Sequence, residues 1–177
     1  MNESKVHIGL VNPKTPENVN SVMRAAGNFG VDHVSYTGTR YLRAVKLHPG
    51  MVDISRKVGK EIPLVSVNCL FDNLDKIASD INIVCVEFAE NAIALPEYEH
   101  PQNAIYVFGP EDGSLTQDII NKADDVIYVP TNGCMNIAAT VSVVLYDRLM
   151  KSSSTALDNN ELIRSSRDIN NALIVSR

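Results

Sequence analysis

The chain of 177 residues carries a formal net charge of −5, with 45% hydrophobic residues and three cysteines. That length fits one domain with a sizeable core, and the acidic balance argues against a general polyanion binder. No apolar run nears the ~20 residues of a membrane span, no CxxC pair suggests zinc or a disulfide framework, and the start at Met1 lacks the basic-then-apolar pattern of a signal peptide, so a cytoplasmic protein is expected.

Val6 to Val11 reads as a buried strand, a short apolar run ended by Asn12-Pro13. Thr15-Pro16-Glu17 is a helix start, with Thr15 as N-cap and proline at the first helical position. Val19, Val22, Met23, Ala26 and Phe29 follow helical spacing, and Gly30 ends the helix. Asp32 to Thr37 is a second strand. The next stretch holds Arg40, Arg43, Lys46, Arg56, Lys57 and Lys60 against Asp53, so this window carries +5 and the rest of the chain −10. It reads as loop with a short helix from Met51 to Val58. Such asymmetry is the footprint of a phosphate-contacting patch, or of a merely solvated surface.

Pro63 to Val67 is a third strand, and Asn68 caps a helix holding Leu70, Phe71, Leu74 and Ile77. Strands follow at Ile81 to Phe88 and, after a loop with Pro96 and Pro101, at Ala104 to Phe108. A helix from Leu115 to Ala123, a strand from Asp125 to Val129 and a long helix from Met135 to Met150 complete the body. Strands this apolar, alternating with helices, predict a parallel α/β sheet with helices on both faces. Beyond Lys151 the composition turns polar, so 1–152 is read as the domain and 153–177 as an extension with a short helix. Cys69 and Cys85 sit in apolar surroundings and are expected as buried thiols. His7, in a strand, is expected in the core, and the four histidines show no metal-ligand spacing.

Three segments carry chemistry. In the first helix Asn20, Arg24 and Asn28 form a polar stripe that could hold a phosphate or an oxyanion at the C-terminal side of a sheet. An exposed arginine on an amphipathic helix would look the same. Phe108-Gly-Pro-Glu-Asp-Gly-Ser-Leu115 sits where a buried strand ends, the usual ligand position in open α/β folds. There Gly109 and Gly113 permit backbone conformations and close approaches, and Glu111 is either a loop anchor or a helix-leading acid. Cys134-Met-Asn-Ile-Ala-Ala139 opens the last helix with Asn136 in its first turn, and Ala138, Ala139 and Ser142 admit a helix, a subunit or a flat ligand. A dinucleotide fingerprint, a phosphate loop and a nucleophile elbow are absent.

In this order and spacing the segments resemble the TrmH-like (SpoU) RNA methyltransferases of the SPOUT superfamily, over residues 6 to 150. The matching residues are Asn18, Arg24 and Phe29-Gly30, then Gly109, Glu111 and Gly113, then Met135-Asn136. Asn20, Asp112 and Ala138 depart from the common pattern. The resemblance implies a C-terminal deep trefoil knot, a homodimer, and S-adenosylmethionine bound by Glu87, Gly109, Glu111, Val129, Cys134, Met135 and Asn136, with no metal. It implies methyl transfer to a ribose 2′-hydroxyl of RNA, and the lack of an added RNA-binding domain leads us to expect a small structured substrate region such as a tRNA loop, tRNA rather than rRNA. Arg24 and Asn18 would be the catalytic pair, with Arg40, Arg43 and Lys46 as the RNA contacts. The rivals are a non-catalytic RNA-binding or assembly protein on the same fold, which would not bind S-adenosylmethionine, and a Rossmann-like small-molecule enzyme.

Overall fold

The computed structural model describes residues 4–48, 62–72, 74, 77–152 and 159–176. Its centre is a seven-stranded sheet in the order β3-β2-β1-β6-β4-β7-β5, and every strand pair is parallel. The strands are β1 (Val6–Leu10), β2 (His33–Tyr36), β3 (Leu64–Ser66), β4 (Asn82–Val86), β5 (Ile93–Ala94), β6 (Ala104–Phe108) and β7 (Asp125–Tyr128). The helices are α1 (Pro16–Asn28), α2 (Arg40–Leu47), α3 (Gln117–Ile120), α4 (Ile137–Lys151) and α5 (Asn159–Ser166). No helix among the described residues is long and apolar enough to cross a membrane.

All five residues of β6 are buried, as expected of a central strand covered on both faces. Alternation sorts them. Ala104, Tyr106 and Phe108 join Ile8, Leu10, Val84 and the apolar faces of α1 and α4 in one core layer. Ile105 and Val107 join Cys85, Leu70, Leu74 and Leu115 in the other. His7 is buried and stacked on His33 at 5.3 Å. Burial, aided by that neighbouring ring, lowers its pKa to about 4, so it stays neutral near pH 7.

Register decides where the site forms. Phe108 pairs with both Leu10 and Val86, and Val86 pairs with Ile127, so these strands end level. The ladder runs one step further, Val11 N–H donating to Phe108 at 2.9 Å and Glu87 N–H to Ile127 at 2.9 Å. The segments after β1, β4, β6 and β7 therefore leave the sheet along one edge.

Several elements differ from the sequence reading. The stretch from Arg40 is a helix, not a loop, because Tyr41 is buried and Val45 packs on the core beneath the charges. Met51 to Val58, with Asp53, Arg56, Lys57 and Lys60, lies outside the described residues. Leu70 to Asp72 form turns rather than helix, and Phe71 N–H points to Cys69 Sγ at 3.4 Å. Cys69 is only half-buried, whereas Cys85 is buried. The loop with Pro96 contains β5 and a turn of 3-10 helix at Leu95–Glu97. The helix expected from Leu115 shrinks to α3, because the Glu87 carboxylate takes the Leu115 N–H at 2.8 Å and holds the chain off the helix.

Gly30 ends α1 in the left-handed region, with φ of 67°. Val31 N–H donates back to Ala26 at 2.9 Å, closing the helix end. A Cβ at Gly30 would meet no atom within 4 Å, so backbone conformation alone sets the penalty for a side chain. Gly30→Ala is predicted to lower stability by about 1 kcal/mol, read from the urea midpoint. An unchanged midpoint would show that the left-handed turn is not required.

Candidate functional site

Three polar side chains tie the motif segments together. Asn136 is the N-cap of α4, one step before its first turn, and its Oδ1 accepts from Ala138 N–H at 2.9 Å and Ala139 N–H at 3.4 Å. Because backbone N–H groups only donate, the Asn136 amide can turn only its NH2 outward. That NH2 donates to Asn18 Oδ1 at 2.9 Å. Asn18 must then present its own NH2 on the other side, and it donates to Glu111 Oε1 at 3.1 Å. Each polarity follows from the one before.

Glu111 ends this relay and clamps α1. Its carboxylate accepts Lys14 N–H at 2.8 Å and Thr15 N–H at 3.0 Å. Thr15 is the N-cap position of α1, but its side chain makes no capping bond. A carboxylate from a loop 96 residues away serves the helix entrance instead. Partial burial pushes the Glu111 carboxyl up. The backbone N–H groups of Glu111, Thr15 and Lys14 and the Asn18 amide outweigh it and hold it below its usual value.

Beside the relay lies a cleft of about 640 Å3, within the size range of small-ligand sites. Val86, Phe108 and Ile137 supply apolar lining, and the rings of Phe88 and Tyr128 stand 5.9 Å apart at its side. Glu87, Gly109, Glu111, Val129, Cys134, Met135 and Asn136 all line it. Glu87 braces the loop opposite, its Oε1 accepting its neighbour Phe88 N–H at 3.0 Å and its Oε2 the Leu115 N–H. Gly109 is tightly enclosed, since a Cβ there would stand 3.3 Å from Leu115 N and 3.5 Å from Glu87 Oε2. Gly113 meets no such constraint, contrary to expectation: its φ is not positive and a Cβ would make ordinary contact with Pro110.

Neither member of the predicted catalytic pair lines this cleft: Asn18 stays in the relay beside it, and Arg24 is not brought to it at all. Helix α1 starts at the C-terminal edge of the sheet and runs back along it. Arg24 therefore lies six residues, about 9 Å, down the helix from Asn18. It is exposed and does not line the cleft. Arg43 and Lys46 are exposed on α2. Arg40 instead makes a two-pronged contact with Asp112, at 2.8 and 2.8 Å. Lys14 also reaches Asp112, at 3.3 Å. Neither Lys14 nor the role of Asp112 was marked by any local signal, because their partners come from distant strand ends.

The model of the SpoU rRNA Methylase family matches residues 5–146. The tRNA (cytidine-2'-O-)-methyltransferase TrmJ of Methanocaldococcus jannaschii is 26% identical over 152 residues, covering 80% of this chain and 66% of the relative. The TrmH/SpoU tRNA modifying enzyme of A. aeolicus superposes with a TM-score of 0.67 at 17% identity, over 92% of this chain and 85% of that one. The SpoU methyltransferase AviRb of Streptomyces viridochromogenes, in complex with AdoMet, superposes with a TM-score of 0.65 at 19% identity, over 85% of this chain and 59% of that one. The chain thus spans less than two thirds of the length of TrmJ and of AviRb. The chain belongs to the SpoU (TrmH-like) family of the SPOUT superfamily.

Because the Glu111 carboxyl titrates lower when folded, its stabilisation is full above the unfolded value of 4.5 and is lost as pH falls through the folded value. Glu111→Gln is predicted to lie furthest below the native protein in stability above the unfolded value of 4.5 and to converge with it as pH falls below that value, followed by urea denaturation across pH. A constant offset would show that the clamp does not depend on charge. Asn136→Ala removes the cap of α4 and is predicted to cost about 1 kcal/mol.

Proposed function

We propose that this SpoU-family protein transfers a methyl group from S-adenosylmethionine to a ribose 2′-hydroxyl of RNA, with tRNA as the substrate class. The observation that carries this reading is the relay Asn136–Asn18–Glu111, which draws the family's three motif segments around one cleft. The TrmJ relative, whose name specifies tRNA, supports the substrate class.

The residues fit the cofactor. The cleft combines apolar walls with loops that present backbone groups, and at Gly109 a Cβ would press on Leu115 N and the Glu87 carboxylate that braces the loop. Glu87, Gly109, Glu111, Val129, Cys134, Met135 and Asn136 would hold S-adenosylmethionine, mostly through the main chain. When bound, it supplies an electrophilic methyl group on a sulfonium. The chain's own task is to align the acceptor oxygen and to stabilise the charge that develops on it. Arginine as a residue type is a poor general base, so the role of Arg24 is to stabilise the 2′-oxyanion through its guanidinium while the hydroxyl proton leaves by way of an RNA phosphate to water. Asn18 fixes the start of the helix that carries Arg24. Arg40, Arg43 and Lys46 face the RNA backbone.

Arg24 can serve such a site only from another copy. Support for a homodimer comes from α4, which packs beside α1 and exposes Val143, Tyr146 and Met150 on one face. The sheet order fits the knot implied for the C-terminal part, since β7 lies beyond β4 from β6 and the chain then returns to pack α4 on α1. An experimental chain trace free of that threading would refute it. Residues 1–152 are read as the catalytic unit and 153–177 as its extension.

Labelled S-adenosylmethionine and RNA from cells lacking the protein test the reaction: label should appear as a 2′-O-methylated nucleoside. Arg24→Ala should abolish transfer while RNA binding persists. At S-adenosylmethionine too dilute to load the weakened Asn136→Ala cleft, mixing Arg24→Ala with Asn136→Ala subunits should restore about a quarter of native activity, because half of the randomly formed dimers hold one intact site. No recovery would place Arg24 outside a shared site, and full turnover by Arg24→Ala would refute its role.

A further inference from the structure

Glu111 and Asp112 are adjacent carboxylates with opposite surroundings. Glu111 is partly buried and held by backbone N–H groups and the Asn18 amide. Asp112 is exposed, and among the described residues cationic side chains hold it: both terminal nitrogens of Arg40 at 2.8 and 2.8 Å, and Lys14 Nζ at 3.3 Å. The Arg40 hydrogen bonds, with help from Lys14, hold its carboxyl at about 2, so it is a permanent anion near pH 7.

The place of this cluster matters as much as its chemistry. Lys14 follows β1, Arg40 follows β2 and Asp112 follows β6, so the cluster lies along the edge of the sheet where the cleft opens. Asp112 itself lines the cleft. Arg40 begins α2, the helix that also exposes Arg43 and Lys46. A cation at that first position is disfavoured by the positive end of the helix, and the Asp112 anion offsets this. Two cations converging on a pair of oxygens, one through a guanidinium fork, make the arrangement that accepts a carboxylate or a phosphodiester equally well.

We propose that Arg40 and Lys14 form a binding site for a phosphodiester of the RNA substrate, and that Asp112 occupies it as an internal anion until RNA displaces it. The proposal rests on the RNA methyltransferase reading and adds to it where the backbone beside the target nucleotide docks. An exposed ion pair is held weakly and exchanges readily. RNA brings several phosphates and gains from counterion release, so it can displace a single carboxylate. The released Asp112 returns to water still ionised. Glu111 keeps its partners throughout, so the cofactor loop stays anchored while its neighbour is exchanged.

The test is binding of unfractionated tRNA to the full-length protein at low salt, followed by fluorescence anisotropy. Asp112→Asn should tighten binding about two- to fivefold, the range set by the exchange of one exposed ion pair. Arg40→Ala and Lys14→Ala should each weaken it. In the Arg40→Ala background, Asp112→Asn should tighten binding by less than it does alone. Equal tightening in both backgrounds would reveal only a long-range charge effect and overturn the proposal. So would weaker or unchanged binding by Asp112→Asn, which would make Asp112 a brace for Arg40. If the native protein binds and methylates RNA while Asp112→Asn fails to tighten, only this inference falls. If the native protein neither binds nor methylates RNA, the functional reading falls with it.

Discussion

The site depends on one commitment: the Asn136 side-chain oxygen is spent on the N–H groups that open α4. From that point each neighbour has a single polarity available. Asn136 can only donate to Asn18, Asn18 can only donate onward, and an ionised carboxylate is the natural end of such a chain. Glu111 fills that place and uses its remaining lone pairs on the entrance of α1. Two helix N-termini and the loop after β6 are thereby locked to one another. The lock matters because the cleft walls are these same segments. A loosened relay would leave the sheet intact and the cleft misshapen.

The level ends of β1, β4, β6 and β7 give the relay its reach. Parallel strands in register deliver their following loops to one edge, where groups far apart in sequence meet. Charge is distributed along that edge. Lys14 and Arg40 follow the strands on one side of β6, while Glu87 and Asn136 follow those on the other. Asp112 stands between them, which makes the loop after β6 the junction of the cofactor side and the RNA side in the proposed reaction. Arg24 stands apart from both, and in the proposed dimer a second copy brings the counterpart.

Six of the seven strands were legible because a strand covered on both faces is a short apolar run, and Ala104 to Phe108 has the same bounds in sequence and structure, whereas the two-residue β5 reads as loop. Helix α1 was legible from its proline, its apolar spacing and Gly30. Helix α2 was not, because three cations within eight residues hid an apolar face of Tyr41 and Val45. The expected helix at Leu115 failed on a contact with Glu87, 28 residues away, which no local pattern carries. In the site, residues at strand ends were readable since topology delivers them there. The direction of α1, which turns Arg24 away, and the Arg40–Asp112 pair, 72 residues apart, emerge only in three dimensions.

The most direct test of the central claim is calorimetric titration of the full-length protein with S-adenosylmethionine in the absence of RNA. The relay and cleft predict saturable binding at one site per chain, weakened when Asn136→Ala breaks the relay at its origin. A native, folded protein that binds no S-adenosylmethionine would contradict the account and favour a non-catalytic RNA-binding role for this fold.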